Sequence, residues 1–108
     1  MFYARLVHYK LGTGQRQVAE RLAKEFDTIN RKLSGFRGNV YLFDDTAGEY
    51  RALNYWDTKT DAENAHKILF PKLENELKNF TKEEPTYKFF EVYDTSDDGG
   101  LLFSHIKI

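Results

Sequence analysis

Apolar residues alternate with polar ones along the first stretch, then recur at helical spacing, alternate through two more stretches, recur again and finally alternate once more. This rhythm predicts strand, helix, strand, strand, helix, strand. Phe2 to Lys10 is rich in aromatic and branched residues and reads as a strand, stopped by Gly12-Thr13-Gly14 with Thr13 as a helix N-cap. Val18, Leu22, Phe26, Ile29 and Leu33 form one apolar stripe, which Ser34-Gly35 closes. Phe36 to Phe43 and Tyr50 to Trp56 are strands joined by the turn-forming run from Asp44 to Glu49, so they pair as a hairpin. Thr60 and Glu63 have capping-box spacing for a second helix, in which Ala62, His66, Leu69, Leu73, Leu77 and Phe80 share one face. Pro71 interrupts it at a cost of about 3 kcal/mol inside a helix. Two helical segments are therefore expected, the second starting near Pro71. After Glu84-Pro85, Thr86 to Tyr93 reads as the fourth strand.

This order predicts an α+β, ferredoxin-like β-α-β-β-α-β protomer with both crossover helices on one side of a single antiparallel sheet. Its domain spans residues 1–94, and residues 95–108 form a strand-like extension, either an added edge strand or an intersubunit arm. The other sheet face should be polar, yet the strands carry apolar residues at both parities. Phe2, Ala4, Leu6 and His8 oppose Tyr3, Arg5, Val7 and Tyr9; Phe36, Val40 and Leu42 oppose Tyr41 and Phe43; Phe90 and Val92 oppose Tyr87, Phe89 and Tyr93. At roughly 25 cal/mol per Å² of apolar area, covering the second face is worth many kcal/mol. Back-to-back pairing of two copies is the expected solution, giving a homodimer.

The 108 residues include no cysteine, which excludes disulfides, thiolate metal sites and a cysteine nucleophile. With a formal charge of -1 and mixed signs along Arg16, Glu20, Arg21, Lys24 and Glu25, the chain lacks the basic stripe of a nucleic-acid partner. No apolar run approaches the roughly 20 residues that cross a bilayer, and Met1 runs directly into Phe2-Tyr3-Ala4-Arg5 without a leader pattern, so a cytoplasmic protein away from membranes is expected. Aromatic residues make up 16% of the chain, suiting a large subunit interface or a pocket for a flat organic ligand.

Several residues offer chemistry. His66 lies within the apolar stripe of the second helix and could act as general base toward a phenolic substrate, ligate haem iron, or fill the core. His8 is a second choice, and His105 lies in the tail. Asn54 and Trp56 share a strand face; an amide there suits an enolate-type oxyanion or a backbone group, and the indole suits either a stacking wall or a core anchor. Arg5 and Glu91 sit on strands expected to be neighbours, as a buried pair or with Arg5 anchoring an anionic substrate. Phe70 is a candidate substrate contact, although a pocket packed solid by Phe26, Leu69 and Phe70 would favour a dimerisation scaffold.

Gly35-Phe36-Arg37-Gly38, the acidic hairpin ending in Gly48-Glu49, Trp56 closing the third strand, the helix start from Asp57 to Glu63, and Phe89-Phe90-Glu91-Val92-Tyr93 resemble the antibiotic biosynthesis monooxygenase domains of the dimeric α/β-barrel superfamily. The resemblance covers about the first 94 residues. It implies sheets that pair into a shared barrel, with a pocket between each sheet and its helices. Some members oxidise aromatic polyketides or quinols with molecular oxygen, without metal or flavin; others degrade haem. The haem-degrading pattern of an asparagine on the first strand and a tryptophan-histidine pair on the second helix is absent, as is a residue-by-residue match to the quinone-forming members.

The resemblance implies a cofactor-independent monooxygenase acting on a small aromatic or quinol-type compound, with no metal and no cofactor. Here His66 is the base, Asn54 the oxyanion partner, and Trp56, His8, Arg5 and Phe70 substrate contacts. The alternatives are a non-catalytic small-molecule-binding or dimerisation module and, third, haem binding through His66.

Overall fold

A computed structural model describes residues 2–93; the strand-like tail expected after residue 94 lies outside the described residues. The elements are β1 (Tyr3–Lys10), α1 (Arg16–Asn30), β2 (Phe36–Asp44), β3 (Glu49–Trp56), α2 (Lys59–Leu77) and β4 (Thr86–Glu91). The sheet order is β2-β3-β1-β4, and β1 pairs antiparallel with both β3 and β4. This is the ferredoxin-like arrangement that the chain's rhythm predicts.

Both helices pack on the sheet face that carries Val7, Tyr9, Tyr50 and Trp56. One core cluster joins Val7, Tyr9 and Tyr50 to Leu22 of α1 and Leu73 and Leu77 of α2. A second surrounds the fully buried Trp56 with Ala62, Ala65 and Leu69 of α2. Parity gives the faces of the paired strand residues with one exception, and β4 ends at Glu91, so Val92 and Tyr93 lie beyond the strand expected to hold them. A bulge between Phe36 and Gly38 inserts one residue and reverses the alternation, so Phe36 faces the helices instead of joining Val40 and Leu42. There its ring meets Trp56 edge-on, 5.4 Å between centroids.

The helix starts differ from expectation. No side chain caps α1; its N-cap is Gln15, not Thr13. In α2 the cap is Thr58, two residues earlier than Thr60, and its hydroxyl oxygen accepts the Asp61 N–H at 3.1 Å. Asp61, three residues after this cap where Glu63 was expected to serve Thr60, answers side chain to side chain, its carboxylate accepting the Thr58 hydroxyl at 2.9 Å. Gly35 has φ +78°, and any Cβ there would lie 2.2 Å from the Asp61 carboxylate, so this residue must be glycine for the cap to form.

Pro71 does not divide α2, which runs unbroken from Lys59 to Leu77. The ring removes the N–H that would meet the carbonyl of Lys67, but Pro71 and Lys67 both lie on the exposed side. Water can take that carbonyl, while Ala65, Leu69, Leu73 and Leu77 hold the opposite side against the sheet. Among the described residues no helix is long and apolar enough to cross a membrane.

Among the described residues the other sheet face carries no helix. Leu42 and Phe90 are 47% and 41% exposed there, beside the half-buried Leu6, Val40, Leu53 and Tyr55. Apolar residues thus do occupy both faces.

Candidate functional site

One register row across the sheet is polar on the helix side. Asn39 of β2 pairs with Asn54 of β3, Asn54 with Arg5 of β1, and Arg5 with Phe89 of β4. Strands rich in rings bury this row, and Arg5 is only 3% exposed. Its Nε–H donates to His66 Nδ1 at 2.9 Å, and Nη1 approaches Asn54 Oδ1 at 3.5 Å. Among the described residues no carboxylate pairs with Arg5. Burial lowers its pKa to about 10, and it remains a cation at neutral pH.

His66 emerges from α2 directly over Arg5. Its ring stacks on Phe70 at 4.7 Å and lies 4.1 Å from the Tyr87 ring, with Phe89 edge-on at 5.4 Å. Burial, then the Arg5 charge, push its pKa down to about 4, so the imidazole is neutral. Because Nδ1 accepts from Arg5, the hydrogen must sit on Nε2. While that bond stands, neither nitrogen offers a lone pair to a substrate proton or to haem iron. In this arrangement the lone pair that the expected base role would use is engaged by Arg5.

The sequence reading missed Asn30, which the fold buries at 2% exposure near the C-terminal end of α1. Its amide orientation follows from a chain of partners that starts at Asp27. A carboxylate only accepts, and Asp27 takes Arg31 Nε–H at 2.7 Å and Asn39 Nδ2–H at 2.8 Å. Asn39 must therefore turn Oδ1 toward Asn30, whose Nδ2 donates to it at 3.0 Å. Asn30 Oδ1 is left without a hydrogen-bond partner, as is the hydroxyl of Tyr41.

Arg5, Asn30, Tyr41 and Asn54 line one crevice between the sheet and the helices, walled elsewhere by apolar residues such as Phe26 and Leu69. It encloses about 360 Å³ counting its open mouth, but the centre of a water molecule can move through only about 20 Å³ of it. That inner chamber suits one water-sized group. Arg5 is the only charged residue on the lining. Tyr9 and Tyr41 line it as neutral phenols, burial raising the pKa of Tyr9 to about 12 and that of Tyr41 still further.

The other expected contacts fall elsewhere. Trp56 is completely buried and forms no part of the crevice lining; its Nε1–H donates to Asn54 Oδ1 at 2.9 Å and fixes that carboxamide. It is a core anchor, not a stacking wall. Phe70 contacts His66 and not the crevice. His8 projects from the opposite sheet face, 3.9 Å from Glu49, because it differs in parity from Arg5. Glu91 pairs with Tyr3 at the exposed end of β4, one inward-facing position beyond Arg5's partner Phe89, so no Arg5–Glu91 pair forms. Asn30 left one signal in the sequence, since it continues the Leu22, Phe26 spacing as a polar residue on an apolar stripe. Tyr41 left none among so many rings.

No family model and no curated protein matches the chain. Solved structures do. SnoaB, a cofactor-independent oxygenase from Streptomyces nogalater, is 12% identical over 89% of this chain and 97% of that chain, with a TM-score of 0.69. A monooxygenase from the gene ActVA-Orf6 of Streptomyces coelicolor, in complex with Nanaomycin D, is 12% identical over 87% and 89%, with a TM-score of 0.68. NE2512, a protein of unknown function from Nitrosomonas europaea, reaches a TM-score of 0.73 at 10% identity over 88% and 92%. The likeness is one of architecture, and the chain has the ferredoxin-like fold on which antibiotic biosynthesis monooxygenases are built.

Proposed function

We propose that two copies of this chain form a monooxygenase-like enzyme that oxidises a small aromatic or quinol-type compound with molecular oxygen, without a resident cofactor. The observation that carries the reading is Arg5, a buried cation with no carboxylate partner among the described residues, facing a crevice beside two polar atoms that no described residue pairs. Buried charges are ordinarily paired, and a site that keeps one unpaired is suited to a ligand that pairs it. Arg5 anchors a substrate oxygen, the Asn54 carboxamide steadies an enolate-type oxyanion, and His66 holds the guanidinium in place. The shared architecture with SnoaB, described as a cofactor-independent oxygenase, supports the reaction class. The apolar sheet face that no described residue covers supports the dimer, in which the two sheets would close a barrel.

A second reading, a binding module without catalysis, draws on the narrowness of the inner chamber, about 20 Å³. Oxygen uptake with a panel of hydroquinones separates the two. Uptake above the spontaneous rate, lost in Arg5→Gln, supports the enzyme. Saturable binding of the same compounds without uptake supports the module.

A further inference from the structure

The crevice fixes more about its ligand than aromatic character. Its lining presents two groups of settled hydrogen-bond polarity and one that can adapt. Arg5 only donates, and its position is held by His66 Nδ1 and Asn54 Oδ1. Asn30 Oδ1 only accepts, because the chain of bonds from Asp27 through Asn39 consumes its amino group. The Tyr41 hydroxyl can do either. Charge adds a further constraint. His66 from α2, Tyr9 from β1 and Tyr41 from β2 are neutral at neutral pH, and β4 offers the rings of Phe89 and Tyr87. A positive charge at a low-dielectric site with no internal counterion favours an anion over its neutral conjugate acid.

With the Nδ1 lone pair of His66 bound to Arg5, the crevice also lacks a group suited to removing a proton from a weakly acidic phenol. A ligand that arrives ionised needs no such group. The inner chamber as it stands admits one oxygen-sized group, so a ligand with two neighbouring polar atoms must widen it, its ring lying toward the mouth beside the partly exposed Ala23 and Phe26.

Resting on the small-molecule site proposed above, we infer that its ligand is a monoanion that offers an ionised oxygen to Arg5 and Tyr41 and a hydroxyl or amino hydrogen on the adjacent atom to Asn30 Oδ1, the pattern of a catecholate or an enediolate. Phenols without the neighbouring donor leave Asn30 unpaired, and neutral ethers leave Arg5 unpaired. Asn30 is a specificity residue in this scheme and Arg5 the charge partner.

Nitrocatechol, para-nitrophenol and para-nitroanisole provide the test, because ionisation of the first two is visible in the absorption spectrum. Each is titrated into the full chain across neutral pH. The bound nitrocatechol should ionise at a pH at least one unit below that of the free compound, an approximately tenfold preference for the anion. Arg5→Gln should abolish the shift and Arg5→Lys, which keeps the charge, should retain part of it. Asn30→Leu should remove the preference for nitrocatechol over para-nitrophenol while leaving the ionisation shift. Circular dichroism confirms that each variant is folded. Equal binding of para-nitroanisole and para-nitrophenolate, or an unchanged shift in Arg5→Gln, overturns the anion assignment and leaves the aromatic site standing. Failure of all three compounds to bind overturns the site as well.

Discussion

Replacing Arg5 by methionine should make the unliganded protein more stable, or at worst leave it unchanged, while destroying its preference for anions. Burial holds the Arg5 pKa at about 10 in place of 12.5, and at about 1.36 kcal/mol for each unit the folded chain carries a penalty of about 3 kcal/mol for keeping this group charged. Methionine fills a similar unbranched volume without charge. The loss is the bond to His66 Nδ1, a charge-assisted interaction of about 1.5–3 kcal/mol, partly recovered because half-buried His66 can turn to water. Asn54 keeps its bond from Trp56. The balance is a stabilisation of about 1 kcal/mol, or a rise of about 4–8 °C in midpoint for a domain of this size. Urea and thermal unfolding at fixed protein concentration measure it. A loss of 2 kcal/mol or more would refute the reasoning, since Arg5 would then hold the fold together.

His66 has a folded-state pKa of about 4, below its unfolded value of 6.5, so the stability it contributes is present above pH 6.5 and drains away as pH falls toward 4. With His66 partly exposed, screening brings the effect to about 1–2 kcal/mol; denaturant midpoints at stepped pH should show this slope, and His66→Gln, whose carbonyl can accept from Arg5, should remove it. Pro71→Ala should raise stability by about 1 kcal/mol by restoring one exposed helical hydrogen bond, and an unchanged or lowered melting temperature would show that water already replaces that bond in full. Leu53→Lys, at the middle of the uncovered sheet face, should convert a dimer into monomers in sedimentation velocity without altering the far-ultraviolet spectrum; a wild-type protein that sediments as one copy would remove the barrel from the proposal.

The fold was legible because each element is written in a simple period: parity assigned the strand faces, and the helical stripe found the buried side of both helices. The errors have local causes. The bulge after Phe36 reverses parity, and Gly38, a residue that often marks a bulge, is the one sign of it in the sequence. Pro71 was expected to break α2 because the sequence could not show that its freed carbonyl faces water. At the site, Arg5, Asn54 and His66 were each visible, but their relation was not. The Arg5–His66 bond joins residues 61 positions apart, and no spacing in the sequence shows that Arg5 engages the histidine's lone pair. Asn30 gains its meaning from Asn39 and Asp27, a relay that no spacing rule contains.

The crevice itself can be observed directly by nuclear magnetic resonance on protein labelled with nitrogen-15, with side-chain signals followed as nitrocatechol is added. The expected result is a shift of the Arg5 Nε–H and of the His66 ring nitrogens, with the Asn30 amide group moving in step and the signals of Leu6, Val40 and Leu53 on the opposite face staying still. Perturbations centred on that opposite face, with Arg5 and His66 silent at saturation, would contradict a ligand site beneath the helices.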